Sequence, residues 1–248
     1  MTMDNSEFFK RIDDLADRAQ RRGVVTKTGF LTPAEGYALR QYHPGSDLVL
    51  FGGQEGCERQ VAFFLPEYME PEAFDPAEHI CAVRIEAHFG TPGHRDYLGA
   101  ALGLGIRRES LGDLRLFDNL AYLFCLPPVQ PLLLEELKKV GRISVTVTAC
   151  PLAEVPAPAV RVKALSFTVK SLRLDAVTGA MFGLSRTAAA ELIRMGGASL
   201  NYAPCERTDA PVKAGDVLSL RGHGKGRLKA IGGRSKKDRL FVEAEVYL

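Results

Sequence analysis

The stretch HICAVRIEAHFGTPGHRDYLGAALGLGIRRESLGDLRLFDNLAYLFCLPPVQPLLLEELKKVGRISVTVTAC, residues 79–150, decides the fold. Its opening, HICAVRIEAHF, alternates apolar and polar residues as a half-buried strand does. HRDYLGAALGLGI then reads as a helix ending in glycines. DLRLFD and AYLFCL flank Asn119 and predict a hairpin. Proline-initiated PPVQPLLLEELKKVG predicts a helix closing on Gly141, and RISVTVTAC is a β-branched strand.

The resulting order, β-α-β-β-α-β, is the ferredoxin-like pattern that also underlies the RNA-recognition fold. The stretch lacks the aromatic stacking signature of that family, so the pattern alone assigns no RNA binding. Proline-rich connectors bound it: PEYMEPEAFDPAEH (66–79) on one side and PLAEVPAPAVR (151–161) on the other. The expected class is α+β in three parts: an N-terminal α/β segment (1–75), a ferredoxin-like middle domain (76–155) and a C-terminal domain (165–248). In the first part Phe8, Ile12, Leu15 and Ala19 recur at helical spacing. Thr32, Pro33 and Glu35 mark a second helix start. DLVLF and RQVAFFL then flank the glycine-rich turn GGQEGCE.

Across 248 residues, 46% are apolar and 25% charged, which is ordinary for a globular chain and excludes wholesale disorder. No run approaches the roughly 18 apolar residues of a membrane span. The N-terminus, MTMDNSEFFKRIDDLADRAQRR, mixes charge with apolar residues and reads as neither signal nor transit peptide, so a cytoplasmic protein is expected. Five dispersed cysteines and five scattered histidines offer neither a disulfide framework nor ligand spacing for a metal. Reduced, mostly buried thiols and no cofactor are the expectation.

The net charge of +2 hides a split. Residues 1–164 hold 18 Lys+Arg against 22 Asp+Glu (−4), whereas residues 165–248 hold 14 against 8 (+6). A basic module on an acidic body suggests a polyanionic partner, nucleic acid first. Within that module SLRLDAVTGAMFG and RTAAAELIRM read as two helices, stopped by Gly183 and Gly196-Gly197, with Ser185 capping the second. Strands follow at ASLN, VLSLR, LKAI and LFVEAEVYL, separated by the basic loops GHGKGR and GGRSKKDR. Arg173, Arg186 and Arg194 from the helices, with Lys213, Arg221, Lys225 and Arg227 from the sheet end, are expected to form one cationic surface. A guanidinium fork matches phosphate oxygens and stacks on bases. The expectation requires these groups to converge and to escape neighbouring carboxylates.

The run R-L-D (173–175), S-R (185–186), E-L-I-R-M-G (191–196), L-N (200–201), G-D (215–216) and S-L-R-G (219–222) resembles the S-four domain, the αL RNA-binding motif. With FGGQEGCERQVAFFLPEY (51–68) and HRDYLGAALGLGIRRESLGD (94–113), most of the chain resembles the YlmH-like RNA-binding proteins. The resemblance implies a bacterial, non-enzymatic RNA-binding protein of three parts ending in an S-four domain. It implies structured rRNA or tRNA as ligand, the large ribosomal subunit as partner, ribosome-associated quality control as process, and a monomer. Carried over, the RNA contacts are Arg173, Ser185, Arg186, Asn201 and Arg221, with Asp175 orienting its arginine neighbours. Tyr202, where a glycine usually follows the asparagine, and Ala198, in place of a larger β-branched residue, depart from the pattern.

Two motifs point elsewhere. H-R-D at 94–96 is similar to a kinase catalytic loop, but Ala101 stands where a magnesium-binding asparagine is required. The alternatives there are a local role for Asp96 or a second RNA patch of His94, Arg95, Arg107 and Arg108. R-L-D-A-V-T-G (173–179) resembles the catalytic run of pseudouridine synthases, which makes an RNA-modifying enzyme the alternative function. No separate catalytic domain follows it.

Overall fold

Helix α1 (Asn5–Arg22) forms because its apolar residues return every three or four positions, and Phe8, Ile12, Ala16 and Ala19 are buried. The computed structural model describes residues 5–42, 44–158 and 161–247. Tertiary contacts divide the chain into two units, Met1–Pro158 and Ala159–Leu248.

In the first unit, β1 (Thr26–Leu31) follows α1, a strand beyond those expected from the sequence. Helix α2 (Pro33–Gln41) starts as expected: the Glu35 amide donates to Thr32 Oγ1 at 3.2 Å, and the Glu35 carboxylate accepts from the Thr32 N–H at 2.7 Å. Thr32→Ala should therefore cost about 1 kcal/mol in chemical denaturation of this unit. Strands β2 (Asp47–Phe51) and β3 (Gln60–Leu65) complete an antiparallel sheet ordered β1-β3-β2. Helix α1 covers one face through Leu31, Leu39, Ala62 and Phe64.

Next come β4 (Cys81–Ala87), α3 (His94–Gly103), β5 (Leu111–Phe117), β6 (Leu120–Cys125), α4 (Gln130–Glu136), β7 (Lys139–Val140) and β8 (Ile143–Cys150). They form an antiparallel sheet ordered β5-β6-β4-β8-β7, with α3 and α4 packed on one face. The helix expected to close on Gly141 ends at Glu136 instead. Gly141, at φ +60°, turns a tight hairpin that buries Val140 in the core as a strand residue, and burial outweighs the helical propensity of LKKV.

The opposite face of this sheet is covered by the N-terminal sheet: Phe30, Val61 and Phe63 pack with Ala82, Tyr122 and Phe124. Arg59 staples the two layers, its Nη2 donating to the Phe30 carbonyl at 2.7 Å and its Nε to the Leu111 carbonyl at 3.1 Å. Of the five cysteines, all free thiols, Cys57 and Cys125 are buried and the other three half-buried. Burial pushes the Cys125 thiol up to about 12.

The second unit opens with β9 (Val162–Val169), also beyond the expected strands, which pairs along the whole of the C-terminal strand. Then follow α5 (Leu174–Phe182), α6 (Arg186–Arg194), β10 (Ala198–Leu200), β11 (Ala203–Pro204), β12 (Val217–Leu220), β13 (Gly224–Arg234) and β14 (Leu240–Tyr247). The sheet order is β11-β10-β12-β13-β14-β9, antiparallel throughout. Val177, Met181 and Ile193 of the helices bury against Leu218, Leu220, Leu228, Val242 and Ala244. Much of what reads as two glycine-basic loops is the single long strand β13. At Gly226 a Cβ would lie 2.7 Å from Met181 Sδ, so glycine lets α5 approach the sheet.

Candidate nucleic-acid interface

Arg173 is the N-cap of α5, and Ser185 caps α6, accepting from the Ala188 N–H at 3.1 Å. Gly183, at φ +69°, turns the chain between the helices. A Cβ on Gly179 would lie 3.1 Å from the Leu184 carbonyl oxygen, so glycine lets the linker fold back closely on α5, and the start of α6 packs beside it at 3.6 Å to Arg186 Cα. The start of α6 is thereby laid one helical turn beyond Asp175. From there Arg186 Nε donates to Asp175 Oδ2 at 3.0 Å, while Arg173 donates to both carboxylate oxygens at 3.2–3.3 Å.

Asp175 is 4% exposed, whereas the side chain of Arg186 is 55% exposed. Burial alone would raise the Asp175 carboxyl; the hydrogen bonds and charges of Arg173 and Arg186 outweigh it and hold the group below its ordinary value. The Arg173 guanidinium moves up, chiefly through its hydrogen bond to Asp175. Two arginines are thus engaged by a carboxylate after all, so the triad carries +1 rather than +2. Each guanidinium has five N–H donors, and Arg173 uses two here and Arg186 one, which leaves forks available to an incoming oxyanion.

Arg194, in the last turn of α6, and Arg221, beside Gly197 just beyond that helix, are exposed with no ion pair among the described residues. Lys213 is exposed in the turn closed by its own amide, which donates to Asp216 at 2.8 Å. Two further candidates point elsewhere. Along β13, Gly226 and Leu228 face the helices, so alternation sends Lys225 and Arg227 to the opposite side of the sheet. There Lys225 sits 5.2 Å from the ring centroids of both Tyr202 and Tyr247. The expectation of one continuous cationic surface is corrected accordingly.

Asn201 is also placed differently. At φ +50° and 8% exposure, it donates through Nδ2 to Asp216 at 2.9 Å and accepts at Oδ1 from the Val217 N–H at 2.9 Å. Its side chain fastens the β10–β11 turn to β12. Tyr202, at φ +69°, adopts the left-handed conformation itself, so the turn forms without the usual glycine.

In the first unit, His94 and Arg95 are exposed on the first turn of α3, where Asp96 accepts from the Gly93 N–H at 2.9 Å. Arg107 and Arg108 lie beyond the far end of that helix, a separation of roughly 15 Å, so the four residues do not form one patch. Arg107 pairs with Glu109 at 3.2 Å. Arg108 is half-buried and donates to the Leu111 carbonyl at 2.5 Å; burial lowers its pKa. Among the described residues no cluster of His, Cys, Asp and Glu could hold a metal, and no helix is long and apolar enough to cross a membrane.

Residues 71–154 match the family described as "Putative RNA-binding domain in YlmH". The chain is thus of the class of mixed α/β proteins that carry this domain. It is 33% identical over 220 residues, 88% of this chain and 86% of the relative, to the ribosome-associated protein quality control protein P2 of Bacillus subtilis (strain 168). In fold it is similar to the cell division protein ylmH from Streptococcus pneumoniae, with a TM-score of 0.51 and 21% identity over 63% of this chain and 97% of that one. The chain belongs to the YlmH-like RNA-binding family.

Proposed function

We propose that this chain is a non-enzymatic, cytoplasmic, monomeric protein that binds structured rRNA or tRNA on the large ribosomal subunit during ribosome-associated quality control. The named role of the Bacillus subtilis relative supports the process. The sheet order β5-β6-β4-β8 supports reading the middle as ferredoxin-like, and the crossed helices on a sheet support reading residues 165–248 as an S-four domain.

The observation that carries the proposal is the pair of half-exposed arginines held on buried Asp175, with Arg194 and Arg221 uncommitted at the end of α6. A fixed pair of guanidinium forks, with further cations about 12 Å away along α6, suits the spaced phosphates of folded RNA. Ser185 keeps its O–H proton for a phosphate while capping its helix. Asn201, buried and engaged, is left out of the contact set. The enclosure of Asp175 argues against its use as a nucleophile, which supports the non-enzymatic reading over a pseudouridine synthase.

Affinity for rRNA or tRNA fragments, followed by fluorescence anisotropy against salt, tests this. Arg186→Ala should weaken binding and reduce the magnitude of the log–log salt slope by about 1. An unchanged slope in a folded variant removes Arg186 from the interface.

A further inference from the structure

The loop between β4 and α3 carries Phe89 with 81% of its surface exposed, among the most exposed large apolar side chains described. The backbone beneath the ring is pinned. The Ala87 N–H donates to the Asn119 carbonyl at 2.8 Å and the His88 N–H to the Ser144 carbonyl at 3.1 Å. The His88 ring meets Thr146 Oγ1 at 2.7 Å. Gly90, at φ +68°, turns the loop over Ile143, whose Cδ1 would lie 3.3 Å from a Cβ there, and Pro92 is buried. The aromatic ring is held out to solvent on a fixed base.

Two cations lie on the segments that adjoin this loop: Arg95 on the first turn of α3, and Arg142 beside Ile143 in the hairpin turn. Both are exposed, and neither has an ion-pair partner among the described residues. The nearest acid along α3, Asp96, is engaged by the Gly93 amide. The face of this sheet on which RNA-recognition domains stack bases is closed here, because Tyr122 and Phe124 are buried under the N-terminal sheet.

We infer that Phe89, Arg95 and Arg142 form a second RNA contact, at which one unpaired base stacks on the Phe89 ring while the cations hold its flanking phosphates. The inference rests on the RNA-binding reading above. Base stacking on an aromatic face is tolerant of sequence, and on a pinned backbone only the two side-chain torsions of the ring lose freedom on binding. A double helix presents no free base face, so the site discriminates for single strands.

The probe is a single-stranded RNA of about ten nucleotides carrying 2-aminopurine, with the blunt duplex of the same sequence beside it, titrated with the full chain. Wild type should bind the single strand with a change in 2-aminopurine fluorescence. Phe89→Ala should weaken that binding about tenfold or more and leave duplex binding unchanged. Phe89→Trp should retain it. Equal single-strand affinity for wild type and Phe89→Ala overturns the inference and assigns the ring to a protein contact. Structured RNA bound without the single strand also overturns it but leaves the RNA-binding reading intact, whereas failure to bind either RNA removes both.

Discussion

Gly53→Ala should lower the stability of the first unit by about 3 kcal/mol, read as a fall in its urea midpoint. Gly53 sits at φ +108°, outside the conformations an alanine adopts without strain. A Cβ there would lie 2.3 Å from Cδ1 of Phe124, whose ring is fully buried between the two sheets. Strain and overpacking fall on the same atom, and the ring cannot retreat without opening the shared core. Gly45→Ala is the control. It has φ +70° but nothing within 4 Å, so it should cost only about 1 kcal/mol from backbone strain. Equal losses at the two positions would show that contact with Phe124 contributes nothing.

GGQEGC reads as a turn from its composition, whereas its tightness is set by tertiary neighbours. At neighbouring Gly52 a Cβ would stand 2.4 Å from Cys57 Cβ and 2.5 Å from the Arg59 carbonyl, a tertiary squeeze with no local signature. Features built from neighbours in sequence were legible: the stripe of α1, the Thr32–Glu35 box, the Ser185 cap and the Gly183 stop. Strands β1 and β9 were not, because TKTGFL and VKALSFTV are short or partly exposed and owe their structure to β3 and β14.

The candidate site divides the same way. Arginine and aspartate at 173–175 can be read as a pair, and the Asp175 partnership was expected. The geometry that brings Arg186 in depends on how tightly the Leu184 linker folds back over Gly179. The outward turn of Lys225 and Arg227 follows from alternation, but only once residues 224–227 are known to be strand rather than loop. Asn201 looks like a surface contact in sequence and becomes a buried fastener only through Asp216, fifteen residues away.

Asp175→Asn should weaken RNA binding about tenfold even though it adds a positive charge to the interface. If affinity followed charge alone, changing the triad from +1 to +2 would tighten binding and steepen the salt dependence. The amide can still accept hydrogen bonds at its oxygen, but it loses the charge that holds two forks at once, so Arg173 and Arg186 must be ordered by the RNA itself. Tighter binding by the variant would overturn the positioning role. Stability supplies an independent readout. The loss at neutral pH should be about 1–2 kcal/mol, kept modest because the arginine heads are partly solvated. A carboxyl held below its ordinary value of 3.8 stabilises the fold fully above that value and ceases to as pH falls through the depressed one. The gap between wild type and Asp175→Asn in thermal unfolding should therefore stay constant from neutrality to about pH 5 and close only in strong acid. A gap that closed near neutrality would place the origin of the effect in another group.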